Sequence, residues 1–474
     1  PPYTALPRAL AFPCVREAYA FANVKAGPEP GKDNTAAVTF FMEPGKRAYV
    51  RRINFEGNVS TRDDVLRQEM TQMEGGVASS DRIDFSKTRL ERLGFFEMVN
   101  VETVPVPGTD DLVDVNYSVE EQPTGSLSAS IGFSQDSGVI LGANVSENNF
   151  FGTGKRVSFG VNVSDSIKSA NISYLDPYYT VDGVSRGFSV FARETDYEEE
   201  DISSFLLDEY GGRVTFGYPT DSITRLNFGA GITQSNLKEG LFTSQEVSEF
   251  IDEEGDSFTN FFLFGSWRRS TLNRGVLPTD GYSHSLSLDV AVPGSDLTFY
   301  KATHKTDFYY PVTDDNRWVF RARSEIGYGD GYGDRSQMPF YEHFYTGGYG
   351  SVRGYEANSL GLRATPNDND LSDPDPFGGN LLTEGGLELI FPTPFAPESR
   401  SVRTFLFVDA GNVFETERDD IFADFEPQDI RTSAGIGLTW LTAIGPLSFN
   451  LAKALNDQPG DDTEVFQFSL GQTF

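Results

Sequence analysis

The chain has 474 residues and carries 38 Lys and Arg against 70 Asp and Glu, a formal net charge of -32. A surface this acidic repels a phosphate backbone and excludes nucleic acid as a partner, and the single cysteine, Cys14, excludes an internal disulfide framework and any Cys-rich metal site. A mean hydropathy of -0.35 excludes a helical membrane protein, whereas 47 Gly, 40 Phe and 20 Tyr fit all-β architecture, membrane barrels included.

Residues 1–14 are Pro-rich and have neither the basic start nor the apolar centre of a signal peptide; they are left unassigned, as a remnant of cloning or processing. Residues 15–46 read as the tail of an α+β unit, with a helix over 15–21 and a strand over 36–41. A complete α+β domain follows over 47–121. Tyr49, Arg51, Ile53 and Phe55 open an extended run that stops at Gly57-Asn58. Ser60-Thr61 is a candidate cap for a helix carrying Val65, Leu66, Met70 and Met73 at helical spacing, with Asp63 and Asp64 in its first turn. A second helix fits 82–93, with Ile83, Leu90 and Leu93 inward, and ends at Gly94. Strands are expected over 97–104 and 112–119; in the second, Val113, Val115, Tyr117 and Val119 alternate with polar residues.

After Gln122-Pro123 the pattern becomes alternating strands of about ten residues with no expected helix, from 125 to the end at 474. The clearest strands cover 127–133, 157–163, 188–192, 213–218, 261–267, 283–290, 405–408 and 466–470. The most apolar window, 434–452, is long enough for a membrane helix, but Gly445-Pro446 interrupts it. Ile436, Leu438 and Trp440 before that point, and Leu447, Phe449 and Leu451 after it, alternate as two strands around a tight turn. Short turns near 148–153, 177–184, 219–221, 272–281, 312–316, 392–400 and 443–446 interleave with longer or more polar loops near 134–137, 164–168, 195–205, 236–256, 293–297, 330–381, 412–430 and 455–463. These connections imply sixteen strands. An even strand count with short turns at one rim and long loops at the other predicts an antiparallel outer-membrane β-barrel over 123–474.

No catalytic motif is present: there is no G-x-S-x-G, no P-loop and no H-E-x-x-H, and His284, His304 and His343 lie far apart in sequence and form no ligand motif. No enzyme activity, metal or cofactor is expected. The Gly-rich stretch 327–333 follows a strand without a succeeding helix, so it is no phosphate cradle. The acidic run 368–375 lacks the EF-hand Gly and terminal Glu and reads as a solvated loop. Loops 236–256 and 368–375 are expected to face outside, where divalent ions could bridge them to lipid A phosphates. Within the longest loop lies Gly347-Gly-Tyr-Gly-Ser-Val-Arg-Gly-Tyr355. If this loop folds into the barrel, Arg353 needs an anionic partner in the low-dielectric wall. Glu388 and Asp409 each interrupt an apolar strand and are the candidates. In the last strand Phe466, Phe468, Leu470 and Phe474 alternate, and Gly471 permits a bend.

Val352, Arg353, Gly354 and Tyr355 resemble the loop-6 signature of the BamA superfamily of outer-membrane assembly and translocation proteins. VRRINFEGN (50–58), RLGFF (92–96) and residues 113–119 are similar to the membrane-proximal POTRA domain of that family. DPYYT (176–180), VDGV (181–184), PTDG (278–281), MPFYE (338–342) and FPTPF (391–395) are similar to its barrel segments, in the family's order. The resemblance covers nearly all of the chain after residue 15 and makes 15–46 the remnant of a penultimate POTRA domain in an N-terminally truncated chain. It implies a Gram-negative outer-membrane barrel with periplasmic POTRA region, and an arginine tucked against Glu388 and Asp409. It implies folding and insertion of other β-barrels through a weak seam between first strand (Leu127, Ala129, Ile131) and last (Phe466, Phe468, Leu470, Gly471, Phe474). The implied partners are unfolded outer-membrane β-barrel substrates, assembly-complex lipoproteins, periplasmic chaperones, and outer-membrane lipid and lipopolysaccharide. A translocation pore of the two-partner-secretion or TamA type is the alternative the shared loop motif leaves open.

Overall fold

A computed structural model describes residues 23–30, 36–43, 47–135, 137–200, 202–240, 243–333, 337–367, 374–396, 398–399, 401–416, 429–442 and 445–471. Residues 1–14, the helix expected over 15–21, most of the acidic run 368–375 and Phe474 lie outside them. The chain divides into two units. One holds residues up to 126 together with 146–157, and the other holds 127–145 and 158–474.

In the first unit, β1 (Asn23–Pro30) pairs antiparallel with β2 (Ala36–Glu43). The α+β domain then runs β3 (Tyr49–Glu56), α1 (Asp63–Gln68), α2 (Ser80–Arg92), β4 (Phe96–Pro105) and β5 (Leu112–Glu121). Its sheet order is β3-β5-β4, with β5 parallel to β3 and antiparallel to β4. The central strand is central because its alternation is the strongest: Val113, Val115 and Tyr117 are wholly buried and Val119 nearly so. Ile83, Leu90, Val65 and Leu66 from the helices close the core over this face. The Tyr117 hydroxyl donates to the Ile83 carbonyl at 3.0 Å, and burial pushes its phenol up to about 12.

Two local expectations fail here. The first helix stops at Gln68, so Met73 lies beyond it and is exposed, and Arg62, not Ser60 or Thr61, is its N-cap. Ser60 and Thr61 turn their N–H groups to the Glu121 carboxylate instead, at 2.9 and 2.6 Å. The Thr61 hydroxyl accepts a hydrogen bond from the Asn149 amide at 2.8 Å. A charged acceptor on a neighbouring strand outcompetes a local cap.

The second part of the fold is a closed antiparallel barrel of sixteen strands. They are β6 (Gly125–Ser134), β7 (Gly138–Glu147), β8 (Arg156–Val163), β9 (Ile167–Asp176), β10 (Ser185–Asp196), β11 (Phe205–Pro219), β12 (Thr224–Glu239), β13 (Ser257–Ser270), β14 (Gly281–Ala291), β15 (Phe299–Pro311) and β16 (Val319–Gly331). Two short strands in the long loop, β17 (Leu362–Arg363) and β18 (Pro376–Gly378), intervene. Then β19 (Leu381–Phe391), β20 (Val402–Phe414), β21 (Arg431–Thr442), β22 (Gly445–Ala454) and β23 (Phe466–Leu470) complete the wall. The window 434–452 is a β-hairpin, β21–β22, as its alternation predicts, and no described helix is long and apolar enough to cross a membrane.

Alternation decides what faces lipid. Leu226, Phe228 and Ile232 of β12, Leu286 and Leu288 of β14, and Leu406 and Val408 of β20 point outward at every second position. At the rim of long loops the connections are not merely solvated. Ile202, Phe205, Leu237, Val247, Leu297 and Phe340 form a buried apolar cluster that caps the barrel. One contributor corrects the reading of 125–474 as free of helix: α3 (Gln245–Glu254) lies inside the acidic loop 236–256. Val247, Phe250 and Ile251 sit three and four residues apart and place one apolar face on the cap. Glu246 anchors the helix by accepting the Thr365 N–H at 2.9 Å.

Candidate functional site

The loop between β16 and β19 turns into the barrel. Glycines in β16 make room for it: a Cβ at Gly327 would lie 2.5 Å from the Phe344 ring, and one at Gly329 would lie 2.2 Å from the Met338 sulfur. The Gly-rich stretch 327–333 therefore serves close packing of loop against wall. Deeper in the loop, Gly354 has φ +95°, and a Cβ there would meet Ala452 at 3.1 Å and Ser433 at 3.4 Å. Val352 and Tyr355 on either side are wholly buried.

This descent delivers Arg353 to the wall. Its Nη2 lies 2.9 Å from Glu388, and its Nε lies 2.6 Å from Asp409. Asp409 accepts twice more, from Arg353 Nη2 at 2.9 Å and from the Arg353 backbone N–H at 3.3 Å. The guanidinium lies 3.6 Å from the centroid of the Phe407 ring. All three charged residues are at most 5% exposed. Charges buried to this degree are tolerated only when paired and hydrogen-bonded.

Sequence reasoning missed the other half of this network. Arg323 donates to Asp409 at 3.2 Å and to the Gly350 and Ser351 carbonyls of the loop. Arg321 lies 3.3 Å from Glu388 and 2.7 Å from Asp307. Three arginines, 321, 323 and 353, thus face three carboxylates, Asp307, Glu388 and Asp409, of which Arg353, Glu388 and Asp409 are buried. A signal was available: in Val319-Phe-Arg-Ala-Arg323 two arginines occupy alternate positions of one strand, the pattern of a lumen-facing pair.

The seam between β23 and β6 is short. Only Ser469↔Ser134 and Leu470↔Phe133 are in register among the described residues. Phe468 adds a ring stacked on Phe133 at 5.2 Å. Among the described residues Phe466, Leu127, Ala129 and Ile131 are in no register pair across the seam, and Leu127 and Ile131 are exposed. Gly471, at φ +76°, turns the chain there: a Cβ would lie 2.8 Å from the Ile131 carbonyl. Elsewhere in the wall, β13 and β14 share nine register pairs.

Residues 149–474 match the Omp85 superfamily domain, and residues 48–122 match a POTRA domain described as a surface antigen variable number repeat. The chain belongs to the Omp85 superfamily. It is 33% identical to the outer membrane protein assembly factor BamA of Neisseria meningitidis, over 96% of this chain and 60% of that protein. It is 26% identical to the sorting and assembly machinery component 50 homolog A of Xenopus laevis, over 94% of this chain and 97% of that one. The crystal structure of Haemophilus ducreyi BamA lacking POTRA domains 1–3 superposes with a TM-score of 0.88 at 32% identity, covering 98% of this chain and 92% of that one. The chain spans about 60% of the length of the Neisseria relative it matches. As an Omp85 chain it is an outer-membrane barrel with a periplasmic POTRA domain. Among its described residues no group of three His, Cys, Asp or Glu side chains is arranged to hold a metal.

Proposed function

We propose that this chain folds and inserts β-barrel proteins into the outer membrane by lending them a strand edge at its seam. A nascent strand cannot enter lipid with unpaired N–H and C=O groups. A barrel wall normally offers none to pair with, because closure removes every edge. The observation that carries the reading is the seam, which among the described residues holds two register pairs, with β7 as the one ladder partner of β6 from Gly125 to Gly132. An incoming strand can add to that edge by β-augmentation. The docked loop supports the same reading. Arg353 with Glu388 and Asp409 holds the loop against the wall, and an apolar cluster packs the long loops together, an arrangement poorly suited to conducting a secreted passenger. Unfolded barrels delivered by periplasmic chaperones are the substrates this function needs. Assembly lipoproteins and lipopolysaccharide are the further partners of this reading. Liposomes containing the chain, given an unfolded barrel substrate, test the reading: substrate should fold faster than in empty liposomes, with little ion conductance. High conductance without accelerated folding would favour a translocation pore.

A further inference from the structure

Gln135 follows the last residue of β6, and its carboxamide lies along the edge of β23. Its oxygen accepts the Phe468 N–H at 2.6 Å. Its nitrogen donates to Glu464 at 2.5 Å and to the Phe466 carbonyl at 3.4 Å. A primary amide carries the same donor and acceptor groups as a peptide unit. Bonded to the N–H and C=O of the residues flanking Gln467, it reproduces the slanted pair that one residue of a parallel neighbour makes. The two register pairs of the seam thus gain a third contact made by a side chain.

Glu464 ties this contact to the docked loop. One carboxylate oxygen receives Gln135, and the other receives the Gln467 amide at 3.2 Å. The Glu464 backbone N–H donates to the Gly354 carbonyl at 3.1 Å, and Gln467 donates to the Tyr355 carbonyl at 2.8 Å. Gly354 and Tyr355 follow Arg353 directly in sequence. The side chain that closes the seam is therefore two hydrogen bonds from the arginine motif.

We infer that Gln135 is a latch on the seam: by bonding the pairing groups of Phe466 and Phe468 its carboxamide holds β23 beside β6, the edge an incoming strand needs, and Glu464 holds it there while the loop is docked. The inference rests on the seam being the route of strand exchange, and it adds the group that competes with the substrate. To part the seam, an incoming strand must displace this side chain together with the two register pairs. Displacement removes the Gln135 bond from Glu464 and leaves its bonds to Gln467 and Gly354.

Amide hydrogen exchange on the full chain in lipid vesicles, read over 464–470, tests the latch. Gln135→Leu keeps the bulk and removes all three hydrogen bonds, so exchange there should rise roughly tenfold, while exchange in β13 stays unchanged. Gln135→Glu sets two carboxylates together and should produce the same rise. Adding Glu464→Gln to Gln135→Glu restores the 135–464 hydrogen bond with donor and acceptor exchanged, and keeps the acceptor for the Phe468 N–H but not the donor to the Phe466 carbonyl. Exchange should therefore return part of the way to the parent rate, which a merely destabilised strand would not do. Unchanged exchange in Gln135→Leu, or no recovery in the exchanged pair, overturns the latch. The route itself is judged separately, from substrate folding by a chain whose seam is cross-linked. A cross-linked chain that still folds substrate removes the route and leaves the exchange result to stand or fall alone.

Discussion

Arg353 is bound twice over, by two buried carboxylates and by an aromatic face. Arg353→Ala strands Glu388 and Asp409 with only Arg321 and Arg323 near them. Breaking one partner of a buried pair costs about 3–5 kcal/mol. Loop 332–380 should then become sensitive to protease at concentrations that leave the parent chain intact, and assembly in liposomes should slow. Glu121 supplies a pH-dependent counterpart in the α+β domain. Burial alone would raise its carboxyl, but hydrogen bonds from the Thr61 and Ser60 N–H groups outweigh burial and hold it below its ordinary 4.5. A carboxyl lowered on folding stabilises above the unfolded value, and the contribution drains as pH falls past about 4.5 toward the folded value. Amide protection around 60–68 should therefore fall on acidification below that point. In Glu121→Gln it should be lower at pH 7 and change less with pH. Glu388 and Asp409 were legible in the sequence because a carboxylate interrupting an apolar strand has few physical excuses. Gln135 was not legible, because its meaning depends on a neighbour more than 300 residues away in the chain.

At the scale of elements, strand alternation gave away nearly the whole wall, since lipid on one side and a polar lumen on the other enforce period two. The expected strand over 466–470 coincides with β23, and that over 157–163 lies within β8. Alternation says nothing about what a loop does once it leaves the wall. Helix α3 was hidden by composition: its acidic residues read as solvated chain, while Val247, Phe250 and Ile251 occupy only one face. Phe250 contacts the rings of Phe258, Phe340 and Tyr341 at 5.7, 5.1 and 6.3 Å. Phe250→Ala should cost on the order of 3 kcal/mol locally. The cap should then exchange its amides faster at 245–254 and 338–342, with the wall strands β13 and β14 unaffected. Equal exchange in both chains would mean that α3 rests on the cap without supporting it.

For the molecule as a whole, the unequal strength of its ladders is the property that matters. Every missing cross-strand pair removes roughly 0.2–1 kcal/mol. With two register pairs at the seam and nine between β13 and β14 among the described residues, the wall should part at the seam first. The small residues of β6, Ser126, Ser128, Ser130 and Gly132, foreshadowed a weak first strand in the sequence. The register of the described pairs could not be read there, since it depends on how two strands more than 300 residues apart in the chain meet. The central claim is that substrates enter through this junction. Ser134 and Ser469 face each other across it, and Ser266 and Ser287 face each other across β13–β14. Replacing each pair with cysteines, in a chain whose Cys14 is changed to Ser, gives a seam lock and a matched interior lock. The measurement is the rate at which liposomes containing each oxidised chain fold an unfolded barrel substrate. The account predicts that the seam lock abolishes acceleration, that reductant restores it, and that the interior lock has no effect; a seam-locked chain that folds substrate at the reduced chain's rate would contradict it.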